Sequence, residues 1–244
     1  MNYDWDWLIL FRESVTGEGL YGTMLLQGLG WTLLISLISW AISLALGIAL
    51  GTGRTLPNRT VRWPISIYVH CFRNTPLLVQ LFLWYFVVPE LLPTAWGDAI
   101  KRMDPTVNQA MTVIVCLTLY TAAKTAEQVK AGLLALPAGQ KLAGLALGLS
   151  TMKVYRYVLL PQAMRMVIAP LTSDFMNVFK NSAAALTIGL MELTGMSRQV
   201  SEFSAHPVEV FTAATFGYMI ITLLVVWLMR GIEVRTRVPG MLGA

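Results

Sequence analysis

Five ionisable residues sit where an apolar chain tolerates them least: Arg73, Lys124, Glu127, Asp174 and Lys180 each interrupt a long hydrophobic run. A charge at membrane depth costs at least a few kcal/mol, so each marks a candidate substrate or ion site. Glu127 stands three residues from both Lys124 and Lys130, so a local ion pair on one helix face is available to it. Arg73 is followed by Pro76. A proline frees backbone groups, and such irregular backbone survives in a bilayer only beside protein or a water-filled cavity. A broken helix beside a cation is a place to hold a carboxylate. Other chemistry finds little support. His70 and His206 stand far apart, without cysteines or carboxylates at metal-ligand spacing, so no metal site is expected and each reads as an interfacial or loop residue. Cys71 and Cys116 both lie in apolar runs and read as reduced thiols packed among helices. No G-x-x-x-x-G-K-[ST] occurs, so the energy for any active transport must come from an ion gradient or another subunit.

The elements that position these residues are apolar segments long enough to cross a bilayer, each needing about 20 residues. No charge falls between Gly19 and Gly53; its start reads as interfacial and Trp31–Gly53 as the first span, with Gly47 and Gly51 spaced to let another helix approach. After a basic loop (Arg54, Pro57, Asn58, Arg59, Arg62), a second span is expected over about Pro64–Leu92, interrupted at Arg73-Asn74-Thr75-Pro76. A third covers about Thr106–Ala131 and a fourth about Met166–Leu190. The fifth, Val210–Met229, has no charge at all. Between the third and fourth lies a Gly/Ala-rich stretch with Lys141, Lys153, Arg156 and Arg165, too polar to be a span.

Composition agrees: 56% of the 244 residues are hydrophobic and 13% charged, against roughly 25% charged in soluble domains. The predicted fold class is therefore an all-α membrane protein of about five transmembrane helices. Five spans put 11 Lys and Arg on one side and 4 on the other, with 3 inside spans. The positive-inside rule then sets the N-terminus outside and the C-terminus in the cytoplasm. The net charge of +5 is explained by this topology, and nucleic acid is not expected as a partner. The opening residues lack the basic start of a secretory signal, so no cleaved leader is expected. The division is an outer segment over 1–18, a membrane domain over 19–233 with a cytoplasmic loop at about 132–165, and a tail over 234–244.

Three motifs carry a family resemblance. Ala143-Gly144-Leu145-Ala146-Leu147-Gly148, nine residues, then Val158-Leu159-Leu160-Pro161 resembles the E-A-A-x3-G-x9-I-x-L-P loop of binding-protein-dependent ABC importers; Leu142 and Gly144 depart from its Glu and second Ala. Phe72-Arg73-Asn74-Thr75-Pro76-Leu77-Leu78-Val79-Gln80 is similar to the F-R-N/G-T-P-L-L-V-Q signature of polar amino-acid permeases. Lys180-Asn181-Ser182 with Glu192-Leu193 resembles their later K-N/D-S/T…E-L segment. Thr121-Ala122-Ala123-Lys124, the opening Asp4-Trp5-Asp6-Trp7 and the tail Val238-Pro239-Gly240 resemble the glutamate/aspartate subgroup.

The resemblance implies a type I importer permease in the bacterial inner membrane, not itself an enzyme. Its implied partners are an ABC ATPase dimer, a second permease subunit (a sister or a second copy), a periplasmic amino-acid binding protein and membrane lipid. ATP and Mg would be used by the ATPase, with no cofactor in this chain. Substrate contacts are implied at Arg73, Thr75, Lys124, Lys180, Asn181 and Ser182, and ATPase coupling at Ala143, Gly144, Gly148, Leu160 and Pro161. Glutamate carries two carboxylates and one ammonium, so a fixed cation such as Lys124 would balance it in a dry cavity. A permease for glutamine, histidine or arginine is the nearest alternative. An ion-coupled secondary transporter, suggested by Asp174 and Glu127, is more distant because no internal inverted repeat is evident.

Overall fold

The computed structural model describes residues 3–15, 17 and 19–236. Among them there is no β-strand, only one isolated bridge between Glu13 and Leu20. The helices are α1 (Tyr21–Gly53), α2 (Arg59–Asn74), α3 (Leu77–Leu91), α4 (Thr94–Lys101), α5 (Pro105–Leu134), α6 (Ala138–Ala146), α7 (151–166), α8 (Ile168–Ser182), α9 (Leu193–Ser204) and α10 (Pro207–Thr236). A π-helical turn interrupts α3 at Leu83–Val87 and another interrupts α7 at Tyr155–Leu159. Helix ends follow local chemistry. The Asn58 side chain accepts from the Thr60 amide at 2.9 Å and starts α2. Asp104 accepts from the amides of Thr106 and Val107 at the start of α5.

Three helices, α1, α5 and α10, are each long and apolar enough to cross a membrane; α2 and α3 add a fourth span if the two are taken together. The uncharged run from Tyr21 to Gly53 forms one unbroken helix of 33 residues, so the stretch expected at the interface and the expected first span are continuous. The interruption expected in the second span is present: Thr75 and Pro76 adopt extended backbone (ψ 133° and 136°). The reason is steric, since a proline pushes the residue before it out of the helical region. The fourth expected span, Met166–Leu190, is not one helix. It comprises the end of α7, the 15-residue α8 and a 3-10 turn at Ala183–Ile188. The chain leaves that turn through Gly189, with φ +92°.

By their contacts the residues fall into two units. One comprises the chain up to Ser39, Pro76–Leu117 and Val178–Leu223; the other comprises Trp40–Thr75, Thr118–Asn177 and the chain from Leu224 on. In the first, Tyr21, Met24 and Leu25 of α1 pack with Leu193 and Val200 of α9 and Val210 and Ala214 of α10; Ile9 joins them from the N-terminal segment. In the second, Val129 and Leu133 of α5 pack against Val154, Tyr155, Leu159 and Ala163 of α7. Here α1 and α5 meet at the expected glycines. A Cβ on Gly47 would lie 2.5 Å from the Thr125 side chain, and one on Gly51 would lie 2.7 Å from the Ala126 carbonyl. The inward face of α1 carries Thr32, Ser36, Ser39 and Ser43, all buried, while Leu26, Leu34, Leu37 and Ile42 are exposed. Small residues inward and leucine outward is the packing of a helix whose solvent is lipid.

Candidate functional site

Glu127, in the C-terminal third of α5, is the centre of a charged cluster in the second unit. Arg54, at the end of α1, donates from Nη1 to Glu127 Oε2 and from Nε to Ser66 Oγ at 3.3 Å. Arg73 Nη1, at the end of α2, lies 3.2 Å from the same carboxylate oxygen, and Lys130 Nζ lies 3.7 Å from Oε1. One turn before Glu127, Lys124 places its ammonium 4.5 Å from the centroid of the Tyr120 ring. Its charge, like that of Arg73, acts on Asp174 of α8, which accepts a 2.7 Å hydrogen bond from Gln128 Nε2. Four cations thus surround two carboxylates. The excess of positive charge is held on α1, α2 and α5, and an anion would balance it.

The expected local pair is present only with Lys130; Lys124 turns to Tyr120 and Asp174 instead. Arg54 corrects the sequence reading more sharply. It was expected in a basic loop, yet it is 5% exposed. The reason is that α1 continues to Gly53 and carries its guanidinium to Glu127, whose charge compensates the loss of water. Nothing in the spacing of Arg54 and Glu127, 73 residues apart, could have joined them.

The other residues expected to meet substrate are placed as follows. Arg73 and Lys124 share the cluster, and Thr75 lies at the α2–α3 break, donating its hydroxyl to the Cys71 carbonyl at 2.8 Å. Lys180, Asn181 and Ser182 belong to the first unit, at the end of α8. Lys180 is exposed and makes no ion pair among the described residues; Asn181 is half-buried; Ser182 is buried and donates to the Phe179 carbonyl at 2.7 Å. Cys116 is buried as expected, but Cys71 is exposed, because it lies on the outward side of α2. Among the described residues no three His, Cys, Asp or Glu side chains could hold a metal.

In the same first unit, Glu192 is fully buried yet well supplied with donors. Its carboxylate caps α9 through the amides of Thr194 and Gly195 and accepts from the hydroxyls of Thr32 and Tyr218. Burial pushes the carboxyl above its ordinary range, and those four hydrogen bonds pull against it. Glu209 at the start of α10 accepts from the Tyr3 hydroxyl and the Asp6 amide, which ties the N-terminal segment down. His206, in the connection before α10, has Nδ1 3.7 Å from the Glu209 carboxylate.

The stretch expected to couple to an ATPase lies in the second unit, at α6 and α7. Ala143 is exposed, while Gly144 is buried against Val154. Gly148 has φ +79° and nothing near the position of a Cβ, so it makes the tight turn between the two helices. Leu160 and Pro161 occupy the first positions of the last helical segment of α7, Leu160–Met166, where proline is well tolerated. Around this turn Leu142, Leu145, Leu147 and Met152 are exposed, Leu147 to 82%. Tyr155 anchors the stretch to the end of α1: its hydroxyl donates to the Thr55 carbonyl and accepts from the Thr55 hydroxyl, each at 3.1 Å. Its spacing from the motif gave no sign of that role. Arg237 and Val238-Pro239-Gly240 lie outside the described residues.

Comparison with known proteins adds the following. Residues 41–238 match the family model described as "Binding-protein-dependent transport system inner membrane component". The chain is 41% identical over 244 residues to the glutamate/aspartate import permease protein GltJ of Escherichia coli K12, covering all of this chain and 99% of that protein. It is 30% identical to the glutamine transport system permease protein GlnP of the same organism, covering 88% of this chain and 94% of that one. Among solved structures it is similar to a chain of an amino acid ABC transporter crystallised with histidines (TM-score 0.73, 25% identity, 88% and 95% of the two chains). A chain of the MetNI methionine ABC transporter shares the fold (TM-score 0.73, 22% identity, 88% and 97%).

Proposed function

The chain belongs to the family of binding-protein-dependent transport system inner membrane components, and on that footing we propose that it carries glutamate and aspartate through the bacterial inner membrane as the permease subunit of an ATP-driven importer. The observation that carries the choice of cargo is the cluster around Glu127, where Arg54, Arg73, Lys124 and Lys130 outnumber Glu127 and Asp174. An acidic amino acid brings the missing negative charge, and Lys124 meets its side-chain carboxylate. Arg73 and Thr75 sit at a helix break whose freed backbone groups offer further donors. Lys180, Asn181 and Ser182 belong to the same substrate path in this reading. The 41% identity to a glutamate/aspartate permease supports it.

The topology in this reading has five spans, the fourth made from the broken segment over 166–190. The N-terminal segment over 1–18 is outside, and the membrane domain covers 19–233 with a cytoplasmic tail over 234–244. Charge supports the orientation. The 132–165 loop carries Lys141, Lys153, Arg156 and Arg165 and no Asp or Glu, which sets it in the cytoplasm. The partners are a periplasmic binding protein, a second permease subunit (a sister or a second copy) and two ATPase subunits, which bind ATP and Mg. Each ATPase grips the exposed leucines around Gly148, with Ala143, Gly144, Leu160 and Pro161 shaping that surface. ATP binding drives the permeases outward-facing and hydrolysis restores the inward-facing state, each ligand acting through its different contacts in the two states.

A second reading, a permease for glutamine or another polar amino acid, draws on the 30% identity to a glutamine permease. ATP hydrolysis by the reconstituted complex, measured against a panel of binding proteins loaded with glutamate, aspartate, glutamine, histidine or arginine, separates the two. Stimulation by the acidic pair is expected; stimulation by glutamine alone would transfer the assignment.

A further inference from the structure

An apolar cleft in the second unit has two arginines at one end. It encloses about 930 Å³ between α1, α8 and α10, the size range of sites that bury small molecules. Trp40 of α1 forms its floor, stacked on Phe175 of α8 with ring centroids 4.7 Å apart, and Ile168 and Leu171 are buried beside it. The α10 wall begins with Trp227 and Leu228, both more than half exposed, and ends with Arg230 and Arg235. Among the described residues neither arginine makes an ion pair or a side-chain hydrogen bond.

We propose that this cleft binds an anionic phospholipid, with an acyl chain along Trp40, Leu171 and Trp227 and the phosphate on Arg230 and Arg235. Depth supports it. Arg230 directly follows Met229, the last residue of the uncharged run that began at Val210, so the cations lie where the hydrocarbon ends and the headgroups begin. Trp227 stands one turn inside, at the level where membrane proteins place aromatic rings. Charge decides between occupants. A second copy of this chain meeting this face through its own second unit would bring few partners for the arginines, because that unit carries only three acidic residues, Glu127, Asp174 and Glu233. The first two are committed to the cluster described above, which leaves Glu233 alone. A phosphate offers several strong acceptors to two guanidinium groups at once. The inference rests on the transmembrane reading of α10 and is independent of what the protein transports.

The test is native mass spectrometry of the purified complex in detergent. The complex is first equilibrated with equal amounts of phosphatidylglycerol and phosphatidylethanolamine bearing the same acyl chains. Two arginines near a headgroup favour the anionic lipid by about 30-fold. The double variant Arg230→Ala/Arg235→Ala is expected to bind both lipids alike, and Arg230→Lys/Arg235→Lys to keep the preference. Gly231 also lines the cleft, and a Cβ there meets nothing within 4 Å. Gly231→Phe is therefore expected to fold and to lower retention of both lipids. Equal retention of the two lipids by the unaltered complex would overturn the proposal, as would an undiminished preference in the Arg→Ala pair. So would disulfide crosslinking of two copies through Trp227→Cys, which would show that protein fills the cleft.

Discussion

Replacing Glu127 by alanine strands a buried cation. Arg54 is 4% exposed at its side chain, and without Glu127 its only remaining side-chain partner among the described residues is Ser66 Oγ at 3.3 Å. Breaking a buried ion pair from one side costs about 3–5 kcal/mol. The Glu127 side chain is 32% exposed, which places the expected loss at the lower end, about 3 kcal/mol. For a chain of this length that is a fall of about 6–12 °C in thermal midpoint. Removing both charges with Arg54→Met/Glu127→Leu abolishes the stranded ion, so the double variant is expected to recover most of the loss. Lys130→Ala serves as the contrast: at 3.7 Å and 29% exposed, its pair with Glu127 is worth less than about 1 kcal/mol. The assay is tryptophan-fluorescence melting of each variant in detergent. If Glu127→Ala melts within about 2 °C of the unaltered chain, or if the double variant falls by the sum of the two single losses, Arg54 does not depend on Glu127 and the cluster has been misread.

Four further outcomes follow from single side chains. Lys124→Ala, in a correctly inserted complex, is expected to reduce the preference for glutamate over glutamine in uptake by about tenfold, the effect of losing about 1.4 kcal/mol; an unchanged preference would remove Lys124 from the substrate path. Gly148→Ala places a Cβ at φ +79° at a cost of about 1–2 kcal/mol, and should weaken stimulation of ATP hydrolysis by the loaded binding protein more than Gly148→Asn does. Gly51→Leu drives its side chain into the Ala126 carbonyl and Val129 and should lower stability by about 1–3 kcal/mol, whereas Gly30→Ala, where a Cβ meets nothing within 4 Å, should raise it by about 0.5–1 kcal/mol. Glu192 has its folded pKa raised above the ordinary 4.5, so the stability it lends is fully present below that value and is lost as pH rises through the folded value. Melting curves against pH should therefore show the unaltered chain losing ground to Glu192→Gln as pH climbs above 4.5, and parallel curves would contradict the burial argument.

How much of this was legible in the sequence depended on how local each feature is. Long apolar runs announced α1, α5 and α10, because bilayer thickness sets a minimum length and hydropathy is additive along a chain. The break at Thr75-Pro76 was legible because proline acts on its immediate neighbour. The segment over 166–190 misled. Its mean hydropathy suits one span, yet α8 ends at Ser182 in a 3-10 turn that composition does not record. The candidate site was half legible. Arg73, Lys124, Glu127 and Asp174 stood out as charges in apolar runs, but their partners did not. Arg54 was hidden by lying among the loop's other arginines, and Tyr155 by being an ordinary aromatic near a motif. Both are defined by contacts across long stretches of chain, 73 residues from Arg54 to Glu127 and 100 from Thr55 to Tyr155.

The most direct test of the central claim is uptake of radiolabelled glutamate into proteoliposomes. These contain this chain with the proposed second permease subunit (a sister or a second copy) and ATPase, and the binding protein is added outside. Uptake is expected only with ATP and Mg inside the vesicle, and it should persist when Na⁺ and proton gradients are collapsed. Glutamate accumulation driven by an ion gradient with no nucleotide or ATPase present would contradict the claim outright.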